Sequence, residues 1–231
     1  MNLPADAKPQ SETVRPGIGF FAVLAGLAVA GTTSLLFVLQ AAWADASSLR
    51  ARNTVISWRE GTGSKVTDER WQHTLSQLQG ALDTAPGNAQ LHDDMAYLYA
   101  SRSKGMGTLP LDTPEYQLQQ DLMDQAIANY RTACALRPTF PYTWVNLALA
   151  KHARGHHDAE FLAAYDRAMQ FGHTEADLHI FLANLTYSQW SRLGPQRQQT
   201  FANLAASAKA KSRIMFRNLA DRAGVQLPPA Q

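Results

Sequence analysis

Hydrophobic residues are distributed in two different ways along this chain. No charged residue occurs between Arg15 and Asp45, and residues 18–39 form a run of mostly apolar side chains. From Asp68 onward, apolar residues instead recur at intervals of three and four, with almost no strand-like alternation. The pattern predicts one continuous apolar helix followed by an all-helical region.

The apolar run is long enough to cross a membrane. As a helix its 22 residues would extend for about 33 Å, and the hydrocarbon core of a bilayer is about 30 Å thick. Twelve of these residues are Leu, Ile, Val or Phe, and together they favour insertion by about 4 to 7 kcal/mol. We therefore predict a transmembrane anchor over residues 18–43, preceded by an N-terminal tail of residues 1–17.

Cleavage by signal peptidase after Ala44 is an alternative fate for this segment. Ala42 and Ala44 are small residues at the positions that such peptidases prefer. A cleavable apolar core is usually about 7 to 15 residues long, so the longer run favours retention. Positive charges flank the span on both sides, and the short leading tail favours a cytoplasmic N-terminus.

Helix-breaking residues divide the rest of the chain. They predict a juxtamembrane helix or linker over residues 44–66, a helical domain over residues 67–223 and a C-terminal tail over residues 224–231. The interval between Ser103 and Tyr116 predicts a long hairpin loop, whose apolar residues either fold back onto a hairpin or close part of a groove. The breaks fall at Pro86-Gly87, between Gly105 and Pro114, and at Pro138, Gly155 and Gly194-Pro195.

A short unit recurs within the helical region. Ala81 precedes Pro86 by the same interval that separates Ala133 from Pro138. Recurrence of a small helical residue before a terminating proline indicates internal repetition. A helical hairpin cannot bury its own apolar face, so repeated hairpins are expected to stack on one another.

These segments resemble the tetratricopeptide repeat. In such repeats small residues let two helices approach, large residues fill the space between hairpins, and a proline ends the second helix. The resemblance implies an all-α domain of helical hairpin repeats with a C-terminal capping helix, which continues from Gly194-Pro195 to Gly224. The central matching residues are Ala126, Tyr130, Ala133, Pro138, Trp144, Leu147, Ala148 and Gly155; the flanking ones are His92, Met95, Ala96, Tyr99, His179, Leu182 and Ala183; the terminal helix presents Phe201, Leu204, Ala208, Met215 and Leu219.

The tetratricopeptide resemblance also implies a concave groove lined by the first helix of each hairpin. An extended segment of a partner protein would lie in such a groove, although large apolar residues at these positions could equally be packing residues. The positions that imply partner binding are Tyr97, Tyr142, Val145, Leu149, His152, Asn184 and Tyr187.

A narrower resemblance concerns residues 137–151 and 158–168, which are followed by Phe171-Gly172. They resemble VpsP-like repeat proteins associated with bacterial exopolysaccharide biosynthesis. This resemblance implies a single-pass protein of the bacterial inner membrane that takes part in polysaccharide assembly or export through protein partners. With the N-terminus in the cytoplasm, the helical domain would lie in the periplasm.

Charge suggests a second surface. The formal net charge of +2 gives no general attraction to nucleic acid. Lys209, Arg213 and Arg217 nevertheless recur every four residues, with Lys211 and Arg222 on another face. Such a stripe is usually only solvated, but it could bind an anionic lipid or a glycan.

Residues with reactive side chains do not form a recognisable catalytic, cofactor or metal motif. Cys134 is the single cysteine, which excludes an intramolecular disulfide, and its place on a helix favours a small apolar packing role. His152, His156 and His157 come close to a metal-ligand spacing, but Gly155 interrupts them. The sequence therefore predicts a binding protein, with no enzymatic activity, cofactor or metal.

Overall fold

The computed structural model describes residues 18–63 and 66–229. Within these ranges the chain contains helices and no β-strand, so the all-helical prediction is confirmed there. The predicted tail of residues 1–17 and the last two residues of the predicted C-terminal tail lie outside the described residues. The α-helices are α1 (Ile18–Arg59), α2 (Asp68–Thr84), α3 (Ala89–Gly105), α4 (Pro114–Leu136), α5 (Pro141–Arg154), α6 (Ala159–Gly172), α7 (His179–Ser188), α8 (Trp190–Ser207) and α9 (Ala210–Ala223), and a short 3-10 helix spans Ala176–Leu178.

The chain divides into two compact units, Met1–Trp43 and Ala44–Gln231. Helix α1, which contributes residues to both, is long and apolar enough to cross a membrane. Its side chains are exposed throughout residues 21–40, including Phe37 at 71%. The predicted apolar helix is therefore confirmed, and its length and composition fit a single-pass span.

Short polar side chains begin four of the helices. Thr67, Asn88, Thr113 and Asp158 occupy the N-cap positions of α2, α3, α4 and α6, and each accepts a hydrogen bond from a backbone amide in the first turn. These bonds satisfy amides that have no partner within the helix. Pro114 is the first residue of α4, where a missing N–H is tolerated.

The predicted breaks near Pro86, Pro138 and Gly155 are confirmed as helix ends. Helices α2 and α4 stop two residues before their prolines. Helix α5 stops at Gly155, whose φ of 80° is a left-handed conformation that suits glycine. The amide of His156 then donates to the Lys151 carbonyl at 2.8 Å, which satisfies a carbonyl at the end of α5.

The predicted long loop joins α3 to α4 over residues 106–113. Gln119 holds it, because its Nε2 donates to the Gly107 carbonyl at 2.7 Å and to the Ser103 carbonyl at 3.0 Å. Ser103 returns a hydrogen bond from Oγ to the Gln119 carbonyl at 2.9 Å. Leu111, at the far side of the loop, remains 71% exposed.

The prediction of one continuous terminal helix is wrong. Helix α8 ends at Ser207, the backbone is extended at Ala208 and Lys209, and α9 then begins. The break brings Phe201 and Phe216 together, with ring centroids 5.3 Å apart in a buried edge-to-face pair. In a continuous helix these rings would be about 22 Å apart along the axis, so both could not cover the same part of the core.

Two apolar clusters form the core of the second unit. One joins residues 44–55 of α1 to α2 and α3, through side chains such as Val55, Leu78 and Leu98. The other runs from α3 to α9 and contains fully buried alanines at the helix contacts. Trp144 was predicted in the hairpin core but is only partly buried, and its indole N–H donates to the Pro138 carbonyl at 2.8 Å.

A buried lysine connects three of these helices. Lys151 of α5 is 1% exposed, and its Nζ lies 2.9 Å from Asp158 Oδ2 and 2.5 Å from Glu160 Oε2. Arg131 of α4 binds the same Glu160 carboxylate through two hydrogen bonds. The Arg131 hydrogen bond, followed by that from Lys151, lowers the pKa of Glu160 to about 2.

We expect Asp158→Ser with Glu160→Gln to destabilise the chain by about 3 to 5 kcal/mol, because Lys151 would remain buried without a counter-charge. Serine at position 158 retains the helix cap. Urea unfolding of the detergent-solubilised chain measures the change. Adding Lys151→Met should recover most of the lost free energy of unfolding. If it does not, the unpaired ammonium charge is not the cause of the destabilisation.

Candidate functional site

A cavity of about 660 Å³ lies among helices of the second unit. Most of its lining comes from α3 and α5, with single contributions from the end of α1, from α4, from the turn before α5 and from α7. The lining residues are Arg59, Gln90, Asp93, Tyr97, Ala100, Ser101, Lys104, Tyr130, Phe140, Tyr142, Asn146, Leu149, Ala150 and Phe181.

Three of the predicted groove residues line this cavity: Tyr97, Tyr142 and Leu149. Val145 does not, since it is 1% exposed and belongs to the core. Helix phase explains the difference on α5, because Leu149 lies close to the direction of Tyr142, whereas Val145 and His152 lie roughly 60° to 80° around the axis. His152 consequently lies outside the cavity lining and forms a hydrogen bond with His157.

The other two predicted groove residues belong to α7. Tyr187 is 7% exposed, and its hydroxyl donates to the Phe216 carbonyl at 3.0 Å, so it is a core residue. Asn184 is exposed, and its Nδ2 donates to the Ile180 carbonyl at 2.9 Å. The α7 residue that lines the cavity is Phe181.

Several lining residues were missed in the sequence. Asn146 had a usable signal, since it follows Tyr142 by four residues and therefore shares its helix face. Arg59 had none, because it lies within a segment predicted only as a juxtamembrane helix or linker. Asp93 and Lys104 lie on α3 together with the predicted groove residue Tyr97, but no sequence motif marks them.

A buried ion cluster forms one end of the cavity. Asp93 and Asp94 of α3 are 2% and 1% exposed. Arg59 Nη2 lies 3.0 Å from Asp93 Oδ2 and 3.1 Å from Asp94 Oδ1, and its guanidinium stacks 4.7 Å from the centre of the Tyr97 ring. Thr143 of α5 donates to Asp93 Oδ1 at 3.1 Å. The cluster thus connects α1, α3 and α5.

Burial dominates the electrostatics of Asp94. Loss of hydration raises the pKa of its carboxyl to about 6, even though Arg59 acts in the opposite direction. Asp93 raises that pKa further, because two neighbouring carboxylates repel each other. Tyr130, a residue of the cavity wall that is 3% exposed, also has a raised pKa because of its burial.

Polar groups on the cavity wall are free to bind a ligand. Within the described residues, the Tyr130 hydroxyl, the Asn146 amide and the Lys104 ammonium have no hydrogen-bond partner. Burial lowers the pKa of Lys104. The Ser101 hydroxyl, by contrast, donates to the Leu98 carbonyl at 3.0 Å. The free groups offer donors and an amide that can both donate and accept.

Aromatic rings form the apolar part of the wall. Phe140 and Tyr142 have ring centroids 5.3 Å apart. The Arg137 guanidinium stacks 4.3 Å from the centre of Phe140, and its Nη1 donates to Gln90 Oε1 at 3.1 Å. Phe181 is 46% exposed on the opposite helix. Rings held by such contacts can bind apolar or planar groups with little loss of side-chain entropy.

Two of the three histidines considered as metal ligands, His152 and His157, form a hydrogen-bonded pair. His157 Nδ1 lies 2.9 Å from Arg192 Nη1 and must accept from it, so its proton is on Nε2, which donates to His152 Nδ1 at 2.8 Å. Burial, followed by neighbouring positive groups, lowers the pKa of both rings. In the part of the chain that the structure describes, no cluster of three possible metal ligands occurs.

The predicted basic surface lies on α9 and its cap. Lys209 is the N-cap residue, and Arg213 and Arg217 follow on the helix. All three side chains are exposed and have no ion pair within the described residues, as is also true of Lys211 and Arg222. These basic residues lie on a separate short helix and its cap, and not on the long terminal helix expected from the sequence.

Comparison with known proteins yields no match: no protein-family model fits the chain, and no curated protein matches it. The cavity and the α9 surface are therefore the features from which function can be inferred. Of these, the cavity combines fixed aromatic walls with free polar groups, which is the usual character of a binding site.

Asp94→Asn should flatten the pH dependence of stability between about pH 4 and pH 6. The carboxyl binds its proton more tightly in the folded state, so the free energy of unfolding falls as pH rises through this window, by on the order of 2 to 3 kcal/mol. Denaturant titrations at several pH values measure the slope.

Asp124→Asn, at an exposed carboxylate paired with Arg154, is the matched control for Asp94→Asn and should keep the slope. Below about pH 4.5, Glu160 acts in the opposite direction, because its pKa is lowered and its stabilising charge is lost on acidification. Identical slopes in the wild type and Asp94→Asn would contradict the assignment.

Proposed function

We propose that this protein is a membrane-anchored helical-repeat scaffold of the tetratricopeptide kind, which binds an extended segment of a partner protein in the cavity. The proposal rests on which helices form the cavity wall. Every second helix contributes to it: α3 supplies Tyr97, α5 supplies Tyr142 and Leu149, and α7 supplies Phe181. A wall built from alternate helices is what stacked helical hairpins would produce.

Equivalent core positions support the repeat. The pairs Met95-Ala96, Leu147-Ala148 and Leu182-Ala183 are buried in α3, α5 and α7. The last two pairs are 35 residues apart, close to the period of about 34 residues of the tetratricopeptide repeat. The first two are 52 residues apart, because α3 and α4 are longer than α5 and α6 and because residues 106–113 lengthen the connection between α3 and α4.

The free groups of the cavity favour an extended polypeptide. The Asn146 amide can donate to a backbone carbonyl and accept from a backbone N–H, as a peptide requires. Leu149 and Phe181 supply apolar contacts, and Lys104 adds a cation suited to an acidic side chain or a terminal carboxylate. The partner segment would therefore be apolar with an acidic group.

Membrane anchoring and pathway complete the proposal. Helix α1 would hold the protein in the bacterial inner membrane, with the second unit in the periplasm. The segments that resemble VpsP-like proteins support a place in exopolysaccharide assembly or export. There the protein would organise other components and catalyse no reaction itself.

A second candidate function is binding of an anionic lipid or glycan by α9. It is favoured by Ile214, which is 61% exposed on the same helix as the unpaired Arg213 and Arg217. An apolar side chain among cations suits insertion at a lipid headgroup surface. The cavity beside α9, of about 580 Å³, has Phe216 as its single aromatic lining residue among the described residues, so we rank the α9 surface below the partner-binding groove.

The groove proposal predicts site-specific photocrosslinking in native membranes. A benzoylphenylalanine probe at Phe181 should yield a protein adduct, while one at Leu118, 52% exposed on α4 and outside the cavity lining, should not. Asn146→Ala with Lys104→Ala should weaken the adduct roughly tenfold, because each lost hydrogen bond contributes about 0.5 to 1.5 kcal/mol.

Gln125→Ala with Arg167→Ala is the matched control, since it removes an exposed amide and an exposed cation outside both candidate surfaces. A probe at Ile214 tests the second candidate. Adducts of lipid or glycan at Ile214, with no protein adduct at Phe181, would reject the groove and favour α9. An unchanged Phe181 adduct in the Asn146 and Lys104 variant would reject their role in binding.

Anchoring is tested separately from binding. We expect the chain to stay in the membrane pellet after alkaline carbonate extraction, because its 22-residue apolar run is long enough to span the bilayer. Mass spectrometry should find a mature N-terminus before residue 45. A soluble product that begins at Asp45 would contradict the anchor and leave a secreted helical domain.

A further inference from the structure

Residues 44–59 of α1 have two distinct faces. One is buried in the second unit by Ala44, Ser48, Ala51 and Val55, each no more than 1% exposed. The opposite face leaves large apolar side chains uncovered, with Leu49 at 56% exposed and Ile56 at 47%. This helix therefore has an apolar stripe that the rest of its own unit does not use.

The uncovered stripe has coiled-coil spacing. Ala46, Leu49, Asn53 and Ile56 are all exposed and are separated by three, four and three residues, which is the a/d pattern of a heptad seam. Asn53 forms no side-chain hydrogen bond within the described residues. An asparagine at an a position fixes register in two-stranded parallel coiled coils, because it pairs with its equivalent across the seam.

We propose that this stripe, defined as Ala46, Leu49, Asn53 and Ile56, is the contact between two copies of this chain paired in parallel. The inference rests on the membrane anchoring of the proposed function. Copies inserted in the same sense present this segment beside the bilayer with the same N-to-C direction, which excludes an antiparallel pair. Confinement to one membrane also raises the effective concentration of a seam only two heptads long.

Charges beside the stripe fit a parallel pair. With Ala46 and Asn53 at a positions, Asp45 is at g and Arg50 at e, and in a parallel coiled coil these positions face each other across the two helices. Asp45 is 58% exposed even though Arg52 and Asn88 contact it. Arg50 is exposed and has no ion pair within the described residues. Two Asp45–Arg50 pairs would thus flank the seam.

Disulfide formation in native membranes tests the pairing on the full chain. Cys134, buried at 2% exposure, is replaced by alanine, and single cysteines are placed at Leu49, Asn53 or Ile56 on the stripe. Ser47, exposed on the same helix but off the stripe, is the matched control position. Because a disulfide needs closely spaced Cα atoms, mild oxidation should give several-fold more covalent dimer at the stripe positions than at Ser47.

Charge reversal tests the parallel register. Arg50→Asp should reduce dimer formation at Leu49→Cys several-fold, because it would face Asp45 of the other copy. Adding Asp45→Arg should restore it, since the pair is regenerated with opposite polarity. A variant that merely unfolded the helix would not be rescued in this way.

Equal disulfide yields at Ser47 and the stripe positions would overturn the pairing, because they would reflect random collision or a stripe that faces lipid headgroups. Carbonate extraction of the same samples separates this outcome from failure of the anchor. Stripe-specific disulfides in an extractable chain would keep the pairing and reject the anchor. Uniform disulfides in a retained chain would reject the pairing alone.

Discussion

The ion cluster of Arg59, Asp93 and Asp94 sets the arrangement of the first helices of the second unit. Two adjacent carboxylates with almost no exposure would be strongly unfavourable without a cation, because neither retains its hydration. Arg59 comes from α1 and binds both at 3.0 and 3.1 Å. The end of α1 must therefore lie against α3, where Arg59 and Asp93 line one end of the cavity.

The contact of Arg59 with Asp93 and Asp94 links the proposed groove to the proposed pairing surface. Because Arg59 is part of the cavity wall, the segment that follows the predicted anchor also contributes to the cavity. Its buried face supplies the contact with α3, and its outer face carries the stripe proposed for pairing. Pairing of two copies would therefore place two grooves in one complex, and a bivalent scaffold binds partners with higher avidity than a single groove does.

Two polar networks elsewhere are already satisfied by their own side chains, which distinguishes them from two groups of the cavity. Lys151 is neutralised by Asp158 and Glu160, and the His152–His157 pair is completed by Arg192. Such networks connect helices through side chains that pair with one another. In the cavity, the Tyr130 hydroxyl and the Asn146 amide lack partners within the described residues, so they are the groups through which a bound segment would gain hydrogen bonds.

Local sequence determined the helices of this protein and where they end, because the interactions that start, stop and orient a helix act over a few residues. The uncharged run before Asp45 specified the apolar helix, the Pro86 and Pro138 breaks specified helix ends, and the face shared by Tyr142 and Leu149 placed both on one wall. Only the tertiary structure decided that Arg59 reaches Asp93, 34 residues away, that Val145 and Tyr187 are core residues, and that the terminal segment breaks at Ala208. These outcomes depend on burying charges and rings against distant helices, and no periodicity within a helix encodes which distant residue it will meet.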